Sequence, residues 1–275
     1  MAISIPDTLT ADNSGKYIMS IRLRSDGLSF SGYSPSESES FFYRNIEFDR
    51  TKPYISSLKE FFFEHEFLTY SYKRTNLVYV SPQYTVVPEE VFTEKQKTDL
   101  LSFTFSAPEN KCLHNPLARE AAEVVFGMEE EVYEFCSRSL INPAFVHHIT
   151  PQLVLWKQQS RALIPRQMYV VIHRKMMDVV CFAQGKLLFV NTFGYDKPDD
   201  ILYYILYVWK QVGMDQEKDQ LHIYGGVSLR NSMTTTLRNY IQYISPAEIP
   251  SDAYLLGAEV VQAPLDLIAL SVCEL

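Results

Sequence analysis

From Tyr17 onward the chain alternates short, β-prone apolar runs with polar turns. Tyr17–Leu23 and Leu28–Tyr33 flank Ser25-Asp26-Gly27, and Asp-Gly between two such runs predicts a hairpin, because glycine tolerates the positive φ of a tight turn. A polar segment rich in Ser and Glu, Ser34–Ser40, leads to a third strand at Phe41–Phe48. Through Pro53–Tyr70 the apolar residues Ile55, Leu58, Phe61, Phe62, Phe63 and Leu68 recur at mainly helical spacing, with Pro53 suited to a first turn. Leu77–Val80 then predicts a short buried strand.

The same order returns further along. Met168–Ile172 and Val179–Ala183 predict two strands, Gln184-Gly185-Lys186 closes a second hairpin, and Leu187–Phe193 makes a third strand. Pro198–Val212 predicts a helix, and Leu221–Tyr224 a fourth strand that ends in Gly225-Gly226. One β-β-β-α-β unit is thus used twice. Between the copies the pattern predicts helices at Glu89–Leu101, Met128–Leu140 and Thr150–Ser160, strands at Ala121–Phe126 and around Phe145, and a surface loop at Ser106–Pro116. Thr150-Pro151 reads as an N-cap followed by a first-turn proline. The boundary falls near Ser160–Arg166, which places a first lobe at 16–162 and a second at 163–275.

Composition narrows the function classes. A chain of 275 residues, 47% hydrophobic and 21% charged, is an ordinary globular protein. Its formal net charge of −8 and lack of a basic block argue against general nucleic-acid binding. Met1–Gly15 lacks a secretory pattern and the longest apolar run, Ile201–Trp209, is too short to span a bilayer, so a cytoplasmic location without a transmembrane segment is expected. Cys112, Cys136, Cys181 and Cys273 are widely spaced, so neither a zinc site nor a disulfide is expected. His147-His148 is no better as a metal site, since neighbours on a strand face opposite ways.

Three meandering strands, a helix, a strand and a helix, used twice, form the layout of the ribonuclease-H-like actin, sugar kinase and Hsp70 superfamily. The second half resembles the PilM/GspL type of bacterial actin-like protein in Val170–Phe182, in Gln184-Gly185-Lys186-Leu187-Leu188-Phe189 and in Tyr224-Gly225-Gly226-Val227-Ser228. The whole chain is also similar to an uncharacterised bacterial domain family of that fold, in which Val78–Phe92 is a typical segment. The resemblance implies an α/β fold of duplicated β-β-β-α-β-α units, the actin-like ATPase fold.

In active members, the resemblance implies, the first turn of each half carries an Asp and then Gly with Ser or Thr, so that backbone N–H groups surround phosphate and the Asp handles magnesium and water. Registering the strands places the Asp position on Arg22 and the Gly on Arg24, and the second half reads Val171-Ile172-His173-Arg174-Lys175-Met176. Bulky side chains there keep the backbone away from phosphate, so degenerate phosphate loops are expected. Asp26-Gly27 is either a shifted motif or plain hairpin chemistry. Arg22, Arg24, Arg174 and Lys175, with His173, are candidates for positive charge at a cleft between lobes, suited to an anion or partner. Alternatively, Arg22 and Arg24 lie on the solvated face of a strand. Gly225, Gly226 and Ser228 would face adenosine in an active member, although a strand-to-helix turn needing small residues explains them equally.

No GxxxxGK[ST], GxGxxG, GxSxG or HExxH is present, and the first strands lack the carboxylates of a two-metal nuclease. No catalytic residue and no metal ligand is therefore assigned. The sequence points to a non-catalytic binding or scaffold module that needs no cofactor and engages a protein partner or a second copy, with the aromatic helices around Phe61–Phe63 and Tyr203–Trp209 as docking candidates. The alternative is a divergent binder of ATP and Mg in the cleft, using Gly225, Gly226, Ser228, Asp26 and Gly27, with Asp26 or Asp178 near the metal.

Overall fold

The first hairpin forms as its residues demand in the computed structural model, which describes residues 5–117, 121–246 and 248–273. β1 (Ile18–Arg24) and β2 (Gly27–Tyr33) pair antiparallel with Arg24 opposite Gly27, and β3 (Phe42–Glu47) adds antiparallel to β2. α1 (Tyr54–Glu64) leads through a short 3₁₀ turn to β4 (Arg74–Tyr79), which lies parallel to β1. The predicted helix is cut short at Glu64, and the remainder of the apolar stretch forms that turn. Alternation along β1 sends Met19, Ile21 and Leu23 to one face, where they pack with Phe30, with Leu58, Phe61 and Phe62 of α1, and with later helical residues. Phe63, one position on, is 92% exposed.

Next comes a smaller sheet. β5 (Tyr84–Pro88), α2 (Lys97–Thr104), β6 (Lys111–Leu117) and β7 (Ala122–Met128) give three strands in the order β5-β7-β6. β6 runs through what the composition marks as a loop at Ser106–Pro116. Pro116 is tolerated because β6 is an edge strand, where a missing N–H breaks no ladder bond on the outer side. The helix expected at Glu89–Leu101 begins only at Lys97, after two 3₁₀ turns. α3 (Glu130–Ser139) and β8 (Ala144–His147) follow, and β8 joins β4 in parallel to complete the sheet β3-β2-β1-β4-β8.

α4 (Ile149–Ser160) takes in Thr150 as a helical residue rather than a cap. β9 (Gln167–Ile172), β10 (Met176–Ala183) and β11 (Lys186–Gly194) then form a meander. Gln184 and Gly185 turn the second hairpin with φ of 50° and 79°, as a two-residue turn of the mirrored type requires. α5 (Pro198–Gln211) starts with proline in its first turn and with Asp200 accepting the backbone N–H groups of Asp196 and Lys197, which holds its carboxyl below the usual range. β12 (Gln220–Tyr224), α6 (Val227–Leu237) and β13 (Tyr243–Pro246) complete a second sheet, β11-β10-β9-β12-β13. Its three antiparallel and two added parallel strands repeat the order of the first sheet. Met168, Val170 and Ile172 meet Ile201, Ile205, Val208 and Trp209 of α5 in its core.

The compact units are Met1–Thr150 with Ile249–Leu275, and Pro151–Glu248. They differ from the division read off the sequence in that the C-terminal stretch belongs with the first sheet. Its helix α7 (Leu265–Val272) buries Leu267 and Ile268, together with Ala253 and Val260, against Phe41 and Val78. The cause is hydrophobic: one face of β1, β2 and β4 would otherwise be open, and this segment carries the apolar side chains that cover it. Among the described residues no helix is long and apolar enough to cross a membrane.

Candidate functional site

The covered face of the first sheet is polar at its centre. Ser20, Arg22, Ser29, Ser31 and Asn76 are all buried there. Arg22 Nε donates to Asp266 Oδ2 at 2.6 Å, with the two side chains 4% and 0% exposed, while Asp266 Oδ1 accepts the N–H of Leu267 at 2.8 Å. Arg22 therefore lies neither at an open anion site nor on a solvated face. The chain closes over it with α7, whose only charge, Asp266, supplies the counter-ion that a buried guanidinium requires.

Arg24 is partly buried and held by its neighbours. Its Nε donates to Asp26 Oδ1 at 3.0 Å, Nη1 to Asn45 Oδ1 at 2.6 Å and Nη2 to the carbonyl of Ile46 at 3.3 Å, locking the hairpin onto β3. Asp26, the one acid of the turn, is thus neutralised by its neighbour, and its carbonyl accepts the N–H of Phe48. Gly27 has φ +152°, and a Cβ there would fall 2.2 Å from the carbonyl oxygen of Ile46. Close packing against β3 already demands glycine at this position.

In the second unit His173 Nε2 sits 2.7 Å from Asp178 Oδ2, and Thr192 Oγ1 donates to Asp178 Oδ1 at 2.6 Å. Asp178 is fully buried, and its two oxygens accept from His173 in the β9–β10 turn and from Thr192 on β11. The hydroxyl of Tyr195 donates to the His173 carbonyl. Arg174 and Lys175 are exposed, and Lys175 Nζ lies 3.2 Å from Asp196.

Gly225, Gly226, Val227 and Ser228 form an exposed turn into α6. The two glycines differ. Gly225 has φ +141° and a Cβ would meet the carbonyl of Ile172 at 2.9 Å, so packing dictates it, whereas nothing lies within 4 Å of a Cβ at Gly226. His147 and His148 are both buried with ring centroids 4.4 Å apart, because β8 ends between them and the alternation expected of a strand does not apply. His147 Nε2 donates to the Ser81 carbonyl at 2.9 Å and Nδ1 accepts the Ile149 N–H at 3.4 Å.

On the far face of the second sheet from α5, a cavity of about 200 Å³ lies among Gln159, Tyr169, His222, Tyr224, Ser245 and Glu248. Trp156, Tyr169 and His222 stack in series with centroids 4.9 and 4.8 Å apart, and His222 Nε2 donates to Gln167 Oε1 at 2.7 Å. Burial pushes the His222 imidazole down to about 4. Between roughly pH 6.5 and 4 the unfolded chain therefore takes up a proton that the folded chain refuses, so stability is full above pH 6.5 and falls toward pH 4. Urea midpoints at pH 7 and 4.5 should fall further for the native protein than for His222→Gln; equal losses would contradict this.

The two sheets, each with three meandering strands followed by two parallel ones, define a mixed α/β protein of actin-like ATPase fold. The chain belongs to the family described as protein of unknown function DUF3822, whose model matches residues 6–244. It is similar to a Bacteroides thetaiotaomicron crystal structure described as a protein with actin-like ATPase fold and unknown function, at 31% identity and a TM-score of 0.84, covering 97% of this chain and 100% of that one. More distant likenesses are a PilM-PilN type IV pilus biogenesis complex (13%, TM-score 0.49, covering 92% and 98%) and the ethanolamine utilization protein EutJ of Carboxydothermus hydrogenoformans (8%, TM-score 0.46, covering 92% and 89%). No curated protein matches the chain.

Proposed function

We propose that this chain is a non-catalytic, actin-like binding module, in which the hairpin that serves phosphate and magnesium in active members of the fold instead serves internal structure. One observation carries the reading: Asp26, the one carboxylate of the first turn, is paired with Arg24 at 3.0 Å, and Arg24 is held by β3. A cation arriving there would have to displace a guanidinium already in place. The second turn offers His173, Arg174 and Lys175 in place of an acid and a glycine. The partner is a protein, met through exposed aromatic side chains such as Tyr203 and Tyr207, 61% and 48% exposed.

One feature favours a second reading, a nucleotide binder. Gly226 is open to solvent and unconstrained by packing, as a surface facing a base would be. A thermal-shift assay with millimolar Mg-ATP and Mg-GTP separates the two. The binding-module reading predicts an unchanged melting temperature; a rise of several degrees that disappears in Gly226→Arg would replace it with the nucleotide reading.

A further inference from the structure

The two sheets treat their outer strands differently. In the first unit the edge strand β3 is covered by the chain itself: Glu259 accepts the Tyr43 N–H at 3.0 Å and pairs with Arg44 at 2.7 Å, while the Phe41 N–H donates to Leu256 at 2.9 Å. Its counterpart β11 is also an edge, nine residues long, and among the described residues no strand lies beyond it in the sheet. Proteins usually protect such an edge with a charge, a proline or a short length. Between Leu187 and Phe193 β11 has no charge and no proline.

The groove beside β11 is lined mainly by apolar side chains, with Arg166 and Gln211 among them. Leu188 is 38% exposed on the strand, and a groove of about 540 Å³ runs beside it between Phe189, Tyr207 and Val212. Phe193 stacks on Tyr204 at 4.4 Å, and Tyr203 on Tyr207 at 5.9 Å, so the exposed rings are already ordered. Charge lies at the two ends, where Lys186 opens the strand and Asp196, 86% exposed and 3.2 Å from Lys175 Nζ, stands just past its close, and at Arg166, which lines the groove. In an antiparallel two-fold pairing, the Lys186 end of each strand meets the Asp196 end of the other, which makes the edge complementary to itself.

We propose that β11 is a self-pairing edge, through which two copies of this chain join their second sheets antiparallel, strand to strand, with the α5 tyrosines alongside. This holds whether or not the protein binds nucleotide. Sedimentation of the full chain from about 1 to about 100 μM, a range that spans micromolar association, should show a monomer–dimer equilibrium. Leu188→Lys, with its fold checked by circular dichroism, should weaken the dimer at least tenfold. Lys186→Glu and Asp196→Lys should each weaken it several-fold by setting like charges opposite, and the doubly swapped chain should recover it. These two positions are exposed, so the swap tests the pairing even if Leu188→Lys fails to fold. A monomer throughout the range, a dimer indifferent to these changes, or a double swap no tighter than the singles would overturn the proposal.

Discussion

Replacing Arg22 by Met is expected to destabilise the first unit by about 3–5 kcal/mol, the cost of leaving one member of a buried pair without its counter-charge. The geometry behind that figure is a 2.6 Å contact between groups 4% and 0% exposed. Asp266 would keep only the Leu267 N–H at one oxygen among the groups described for it. Methionine retains the length of the arginine stem, so the effect is electrostatic rather than a cavity. The companion variant Arg22→Met with Asp266→Leu removes both charges and should recover most of the loss, as replacement of buried pairs by apolar residues does. Urea unfolding of the three proteins decides it. A single-variant cost below about 1 kcal/mol would mean that the pair behaves like a surface ion pair.

Gly27→Ala is expected to cost about 2–6 kcal/mol, combining about 1–3 for a strained φ with about 1–3 for forcing an atom into packed backbone. At φ +152° a Cβ stands 2.2 Å from the Ile46 oxygen, and that oxygen belongs to the paired β3, which cannot yield as a flexible side chain would. Gly226→Ala is the control. With φ −57° and open space around it, it loses only what alanine costs in place of glycine at the N-cap of α6, no more than about 1 kcal/mol. If Gly27→Ala left stability intact, the glycine would be serving something other than packing, and phosphate approach would be the first explanation to revisit.

The strand meanders and hairpins were legible because period-2 patterning and Asp-Gly or Gln-Gly turns are local signals, and the first four strands of each five-stranded sheet follow from them, whereas β13 of the second sheet was not legible. What was illegible is mostly non-local. Whether Arg22 faces water or protein depends on residues 244 positions away in sequence, and no periodicity along β1 encodes their return. A clue did exist: Asp266 is the single charge in Pro264–Val272, and a lone acid in an apolar helix needs a buried partner. β6 was hidden by Pro116, a breaker inside a strand but harmless at an edge. For the site, the sequence showed the basic replacements at 22, 24, 174 and 175, yet could not separate an exposed pair such as Lys175–Asp196 from the interlocked Arg24–Asp26–Asn45 group.

On the proposed function, the first hairpin is complete in itself and does not receive Mg-ATP. Calorimetric titration of Mg-ATP into the protein, with Asp26→Asn titrated in parallel, decides it. No binding heat above dilution is expected for either protein. A saturable isotherm near one nucleotide per chain, lost in Asp26→Asn, would contradict it.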